Sequence, residues 1–183
     1  MRRVRPLLAL LACLLVVAVL NGLRPDSLSP ARSFDAGPDG WAHAPSASGR
    51  VLQVELTNRI VRSTGREVTT QATFVVVRVE VAVRNRVLGL GTVMLKTADG
   101  HTYRQLLDLG LESLPLTQAG FTSVGYAAFE LPRERVLGAT LIISSQSDLL
   151  VIYRAELAFP DVADRAAWAS FVELSKATTT VTP

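Results

Sequence analysis

Apolar and polar residues are arranged in three different ways along this chain. Arg2, Arg3 and Arg5 precede a run from Pro6 to Leu23 that contains no charge, and Arg24 closes it. Residues 24–49 show no periodicity. From Arg50 the period becomes two: Leu52, Val54 and Leu56 alternate with Gln53, Glu55 and Thr57. The strongest alternation follows, with Val75, Val77, Val79, Val81 and Val83 on one face and Phe74, Val76, Arg78, Glu80, Ala82 and Arg84 on the other. Strict alternation of β-branched residues predicts a half-buried antiparallel strand, because a helix would scatter these valines around its circumference. Val77, Val79 and Val81 are expected to point between two sheets, with Arg78 and Glu80 outward.

Further elements follow from turn chemistry. Asp99-Gly100 separates Thr92–Lys96 from His101-Thr102-Tyr103 and predicts a hairpin, since Asp and Gly tolerate positive φ. Leu106–Thr117 is leucine-rich without strict alternation and reads as a crossing connection with one short strand. Phe121, Ser123, Gly125, Ala127, Phe129 and Leu131 share a strand face that Pro132 ends, because proline cannot donate to a ladder. Residues 138–144 and 149–159 supply two more strands. About seven or eight short strands separated by turns make an all-β fold, an antiparallel β-sandwich. After Pro160, Trp168, Phe171 and Val172 have helical spacing and Asp161 or Asp164 is available as a cap, so a short C-terminal helix is expected. The resulting organisation is an N-terminal segment 1–23, a linker 24–49, a sandwich 50–160 and a tail 161–183. The linker assignment rests on its Pro, Ser, Ala, Gly and Asp content, which leaves little to bury. Trp41 is its exception, packing either on the domain edge or at a membrane interface.

The N-terminal run is about as long as a hydrocarbon core requires, roughly 17–25 residues. Arginines before it orient the N-terminus to the cytoplasm and the β-domain outside. A transmembrane helix over residues 6–23 is therefore expected, as an uncleaved anchor. The alternative is a cleaved signal, but Val19-Leu20-Asn21-Gly22 offers no small-x-small site and Ala42-His43-Ala44 lies far downstream. Leu10-Leu11-Ala12-Cys13 loosely resembles a lipobox, which would acylate Cys13; as an ordinary residue Cys13 is a small hydrophobe within the span.

Charge sharpens this picture. The 183 residues carry a formal net charge of +3. Residues 1–33 alone hold five Arg and one Asp, or +4, which leaves −1 for the rest. A near-neutral domain has no general attraction for nucleic acid, whatever the overall pI. Cys13 is the single cysteine, so the domain has no intrachain disulfide and relies on apolar burial. Heavy use of Ala, Val, Leu and Arg is in keeping with a high-GC bacterial genome.

Three local patterns within Val51–Phe159 resemble a family of bacterial extracytoplasmic immunoglobulin-like domains of unknown function, related to a mycobacterial secreted immunoprotective antigen. The long strand ending Val79-Glu80-Val81-Ala82-Val83-Arg84-Asn85 is similar to the family's strand that closes on Asn. Asp99-Gly100-His101-Thr102-Tyr103 is similar to its Asp-Gly-x-x-Tyr hairpin. Gly120, Gly125 and Phe129-Glu130-Leu131-Pro132 are similar to its glycine turn and Phe-x-x-Pro strand end. The chain departs from the family at Ala119-Gly120, where Pro-Gly is usual, and in the apolar loop Arg86–Gly91. The resemblance implies an immunoglobulin-like sandwich and an exported location, and it carries over no catalytic residue.

No chemistry-bearing cluster is visible. Of two histidines, His43 lies in the linker and His101 beside a turn. Gly-x-Ser-x-Gly is absent, zinc-binding spacings are absent, and Leu88-Gly89-Leu90-Gly91 lacks the lysine of a phosphate loop. No catalytic residue, metal or cofactor is expected. One feature stands out: Leu88, Leu90, Leu107, Leu109, Leu111 and Leu114 lie in expected connections, where a contiguous exposed apolar patch would mark a partner site. The alternative is that they cap the ends of the core. The expected function is a membrane-anchored, extracytoplasmic, non-enzymatic module that binds an envelope protein through a sheet edge or these leucines. Its rival is a binding protein holding a lipid or small apolar ligand between the sheets.

Overall fold

The computed structural model describes residues 31–84, 90–115, 118–145, 154–164 and 166–181. The expected membrane span 6–23 and the loop around Leu88 lie outside the described residues. Among those described, no helix is long and apolar enough to cross a membrane.

Among the described residues, twelve strands form two sheets: β1 (Ala31–Asp35), β2 (Trp41–His43), β3 (Ala47–Val61), β4 (Glu67–Val83), β5 (Leu90–Lys96), β6 (Thr102–Arg104), β7 (Phe121–Leu131), β8 (Thr140–Ser145), β9 (Arg154–Phe159), β10 (Ala167–Trp168), β11 (Val172–Glu173) and β12 (Thr178–Val181). One sheet has the order β1-β9-β8-β5-β6, the other β10-β3-β4-β7-β12, with β2 and β11 also pairing with β3. The fold is an all-β sandwich. It holds more strands than the expected seven or eight because short edge segments join both sheets.

Strands β4 and β7 carry the core in the expected register. Val75, Val77, Val79, Val81 and Val83 are all buried and pack with Ala127, Phe129 and Leu131 of β7. From the facing sheet, Val93, Leu95, Leu141, Ile143, Leu157 and Phe159 complete the same cluster. Arg78 and Glu80 face away from it. Burying a valine or leucine side chain fully is worth about 1.5–3 kcal/mol, so this strand pair contributes a large share of the fold's stability.

The outer face of β4 is not simply solvated. Phe74 and Val76 are buried in a second cluster with Ile60, Leu109, Ala128, Val172 and Leu174. One end of the seven-stranded sheet is thus covered on both faces, by the leucine-rich connection and by the C-terminal tail.

Three expectations are corrected. The linker boundary at residue 49 is too late, since strands begin at Ala31. Strand β1 pairs in parallel with β9, and β2 pairs with β3 after a turn at Asp39-Gly40. Within the expected linker span, Ala42, Ala44 and Ala47 are buried, as are Ser48 and Gly49. Alanine fits beneath the sheet there but gives no strand signal of its own. Secondly, the tail forms no helix among its described residues: β10 and β11 pair in parallel with β3, and β12 pairs antiparallel with β7. Trp168, Phe171 and Val172 have helical spacing only because the tail weaves along the β3 edge. Asp164 caps no helix of its own; its Oδ1 accepts the Gly138 N–H at 2.7 Å. Thirdly, Leu52 does not share the face of Val54 and Leu56. The β3–β4 register slips between Val51 and Gln53, so Val51 packs on the core and Leu52 is left 39% exposed.

Candidate functional site

Strand β12 reaches only Phe121–Val124 of β7, which leaves the remainder of that edge open. The leucine-rich connection fills it. Leu106 N–H donates to the Ala128 carbonyl at 2.8 Å, and Leu114 N–H to the Tyr126 carbonyl at 3.3 Å. A 3-10 turn over Leu107–Glu112 lies between these two bonds. Leu109 packs on the outer cluster with Phe74, and Leu114 enters the main core. The six candidate leucines therefore do not make one exposed patch. Leu109 and Leu114 are buried, which removes them from any surface, and Leu107 is 81% exposed. Leu90 lies in β5, Leu111 in the 3-10 turn, and Leu88 is outside the described residues.

The approach of this connection to β7 is close. A Cβ at Gly125 would lie 2.6 Å from Leu114 Cα, so only glycine allows the chain to pass.

The 3-10 turn is held by an ionised side chain. Glu112 is 1% exposed. Its carboxylate accepts hydrogen bonds from Ser63 N–H at 2.8 Å and Ser63 Oγ at 2.5 Å, and Arg62 Nη2 lies 3.6 Å away. Burial pushes its pKa up, but the Ser63 hydroxyl, backbone N–H bonds and the Arg62 charge together hold the carboxyl below its ordinary range. Gly110, at φ 65 and ψ −120, makes the bend that turns Glu112 inward, and a Cβ there would meet Arg62 Nη2 at 3.0 Å.

A polar network closes the β5–β6 hairpin, where the expected turn has Gly100 at φ 87. Asp99 Oδ2 lies 3.1 Å from both His101 Nδ1 and Arg135 Nε, and Arg135 Nη1 donates to Tyr103 Oη at 2.9 Å. The Thr97 hydroxyl also binds Asp99. The Asp99 carboxyl is held below its ordinary value, chiefly by the Thr97 hydroxyl; burial opposes this, and His101 and Arg135 add to the lowering. This arrangement joins the Asp and Tyr of the hairpin motif through one guanidinium. It is a turn lock. The Thr97 hydroxyl is bonded to Asp99 and to the His101 carbonyl rather than to the imidazole, so His101 is not placed to take its proton.

Surface chemistry is richest around the seven-stranded sheet, where arginines cover aromatic rings. Arg50 lies 4.8 Å from the Trp41 ring centroid, Arg133 5.1 Å from Trp168, and Arg59 5.3 Å from Phe171. Trp41 thus packs on the domain; it stacks on His43 at 6.0 Å, and Arg50 is tied to Glu80 at 2.7 Å. Beside it opens a cleft of about 420 Å³ lined by Trp41, His43, Ser48 and Arg84. A larger open hollow, about 820 Å³, lies between the β4 stretch Thr70–Thr73, Asn58, the Pro132–Glu134 turn and Trp168. These residues come from four separate stretches with no common motif, and the half-exposed Trp168 is the single hint visible in the sequence. Among the described residues no group of three or more His, Cys, Asp or Glu side chains is placed to hold a metal ion.

No protein-family model matches the chain, and no curated protein matches it. Among solved structures, the chain is similar to an uncharacterized β-sandwich protein from Clostridium difficile 630, with 9% identity and a TM-score of 0.42 over 75% of this chain and 99% of that one. It is also similar to a candidate lipoprotein from Staphylococcus aureus, with 8% identity and a TM-score of 0.40 over 74% and 94% of the two chains.

Proposed function

We propose that this protein is a membrane-anchored, extracytoplasmic, non-enzymatic interaction module of the bacterial envelope. In this reading the segment 6–23 is the anchor, and the sandwich is immunoglobulin-like, as in the family that Val51–Phe159 resembles. The partner is another envelope protein. One observation carries the choice of surface. On the seven-stranded sheet, the β3 edge is occupied by β2, β10 and β11, whereas β12 ends the sheet and all four of its residues are exposed. An edge strand with an unpaired outer side can accept an added strand from a partner. The rival reading, an apolar ligand between the sheets, gains no support from the described hollows, which lie on the outer side or edge of the seven-stranded sheet.

Membrane fractionation of the full-length chain tests the anchor. Retention in the pellet after an alkaline wash is expected. Release into the medium, shortened by about thirty residues, is the result that overturns it. A photo-crosslinking residue at Thr180 tests the edge. A discrete adduct in envelope membranes is expected there, and an adduct only from Leu107 would move the surface to the 3-10 turn. No adduct from either position would defeat the interaction reading.

A further inference from the structure

The hollow beside Trp168 is built by an irregularity in the central ladder. Pairing runs from Thr57↔Phe74 directly to Arg59↔Thr69, so residues Thr70–Thr73 of β4 face Asn58 alone on β3. Thr73 still pairs with Leu131 of β7, so the excess chain bows away from β3. The same gap lies between the edge segments β10, opposite Glu55 and Leu56, and β11, opposite Ile60 and Val61. Irregularities of this kind often re-aim side chains at functional sites.

The chemistry of the lining is specific. Trp168, 48% exposed, brings an indole into the lining, with the Arg133 guanidinium over its ring at 5.1 Å from the centroid. Asn58 and Gln71 supply amides that have no hydrogen-bond partner among the described residues, each able to donate and accept. Thr70 is tied to Glu130 and positions the bowed segment, and its hydroxyl also accepts the Ala72 N–H at 3.0 Å. Arg133 and Glu134 bring one charge of each sign, so the hollow as a whole is neutral. A lipid would leave the amides unpaired, which costs free energy. A polyanion would find a single cation with an acid next to it. A ring with polar edges and apolar faces satisfies both the amides and the indole.

We propose that this hollow binds a neutral saccharide, with the indole of Trp168 as platform and the amides of Asn58 and Gln71 pairing with ring hydroxyl or acetamido groups. The site is independent of the β12 edge.

The test uses the full-length chain in micelles of a detergent without a sugar head group. Chitotriose, cellotriose and maltotriose are titrated separately, read by calorimetry and tryptophan fluorescence. At least one is expected to bind saturably, with a dissociation constant of about 1 mM or tighter. Trp168→Ala should weaken that binding at least about tenfold, as should Gln71→Ala, while Trp41→Ala should leave it unchanged. Gln71 is exposed, so its variant keeps the test valid if loss of Trp168 disturbs the edge. Absence of saturable binding for all three sugars overturns the proposal, as does parental affinity in both hollow variants or equal loss in Trp41→Ala. Fractionation and crosslinking read the anchored interaction module separately, so either conclusion can fail without the other.

Discussion

Glu112 takes both hydrogen bonds that Ser63 can donate, across 49 positions of chain. This bond pair fastens the leucine-rich connection to the β3–β4 turn, and Arg62 supplies the balancing charge. Removing the acid leaves Arg62 and the Ser63 N–H without their partner in a largely dry setting. Glu112→Ala is expected to destabilise the protein by about 2–4 kcal/mol, read by denaturant unfolding. A change below about 0.5 kcal/mol would mean that the carboxylate does not hold the cap.

The same group sets a pH dependence. Its folded pKa lies below the ordinary glutamate value. The stabilisation is therefore complete above the unfolded pKa and is lost as pH falls through the folded one. Thermal melts of the parent should decline on acidification through and below the ordinary carboxylate range. Glu112→Gln should begin lower and decline less steeply. Parallel curves for the two proteins would assign the acid sensitivity to other groups, with Asp99, also held low, the next to replace.

Leu109 and Leu107 separate packing from surface within one turn. Leu109 is 3% exposed against Phe74 and Val172, and Leu107 is 81% exposed. Leu109→Ala should cost about 2–4 kcal/mol through lost burial and the cavity left behind. Leu107→Ala should stay within about 0.5 kcal/mol of the parent. Equal effects in urea melts would contradict the orientation of this turn.

How far the fold could be read from the residues depended on where each strand's pairing information lies. Val75–Val83 and Phe121–Leu131 announce themselves because each must bury one face, and their period is legible at every second residue. Strands β1, β2, β10 and β11 are held by backbone bonds to a neighbour already in place, and their small or scattered apolar residues follow no period of their own. Phe74 and Val76 carried a signal that alternation alone misreads. The outward face of β4 begins apolar and turns charged only at Arg78, which marks the extent of the outer cluster. The leucines of 106–114 lacked periodicity because they serve two different clusters on opposite sides of β7. The hollow at Trp168 was illegible, since a register slip brings its lining together and no local pattern encodes such a slip.

Gly125 tests the closeness of that connection. A methyl group there would sit 2.6 Å from Leu114 Cα and 2.8 Å from Leu114 N, both backbone atoms that cannot rotate aside. Gly125→Ala should cost about 1–3 kcal/mol through overpacking. Hydrogen exchange should report it locally, with the Leu114 amide losing protection. Parental stability would show that residues 113–115 shift without penalty.

The two faces of β4 give the sharpest contrast. Val79 is fully buried between the sheets, opposite Gly125 in the β7 register. Glu80, one residue on, faces outward and binds Arg50 Nε at 2.7 Å, with its side chain 17% exposed. Val79→Asp would place a carboxylate where nothing can pair with it. The cost is several kcal/mol against a typical total of about 5–15, enough to unfold a domain that has no disulfide to hold it. Glu80→Ala removes an ion pair whose Arg50 partner is 43% exposed and already stacked on Trp41, so a loss of about 1 kcal/mol or less is expected. Circular dichroism of the two variants at increasing temperature decides the matter. A cooperative melt for Val79→Asp at the parental temperature would place Val79 outside the core and dismantle the register on which the sandwich rests.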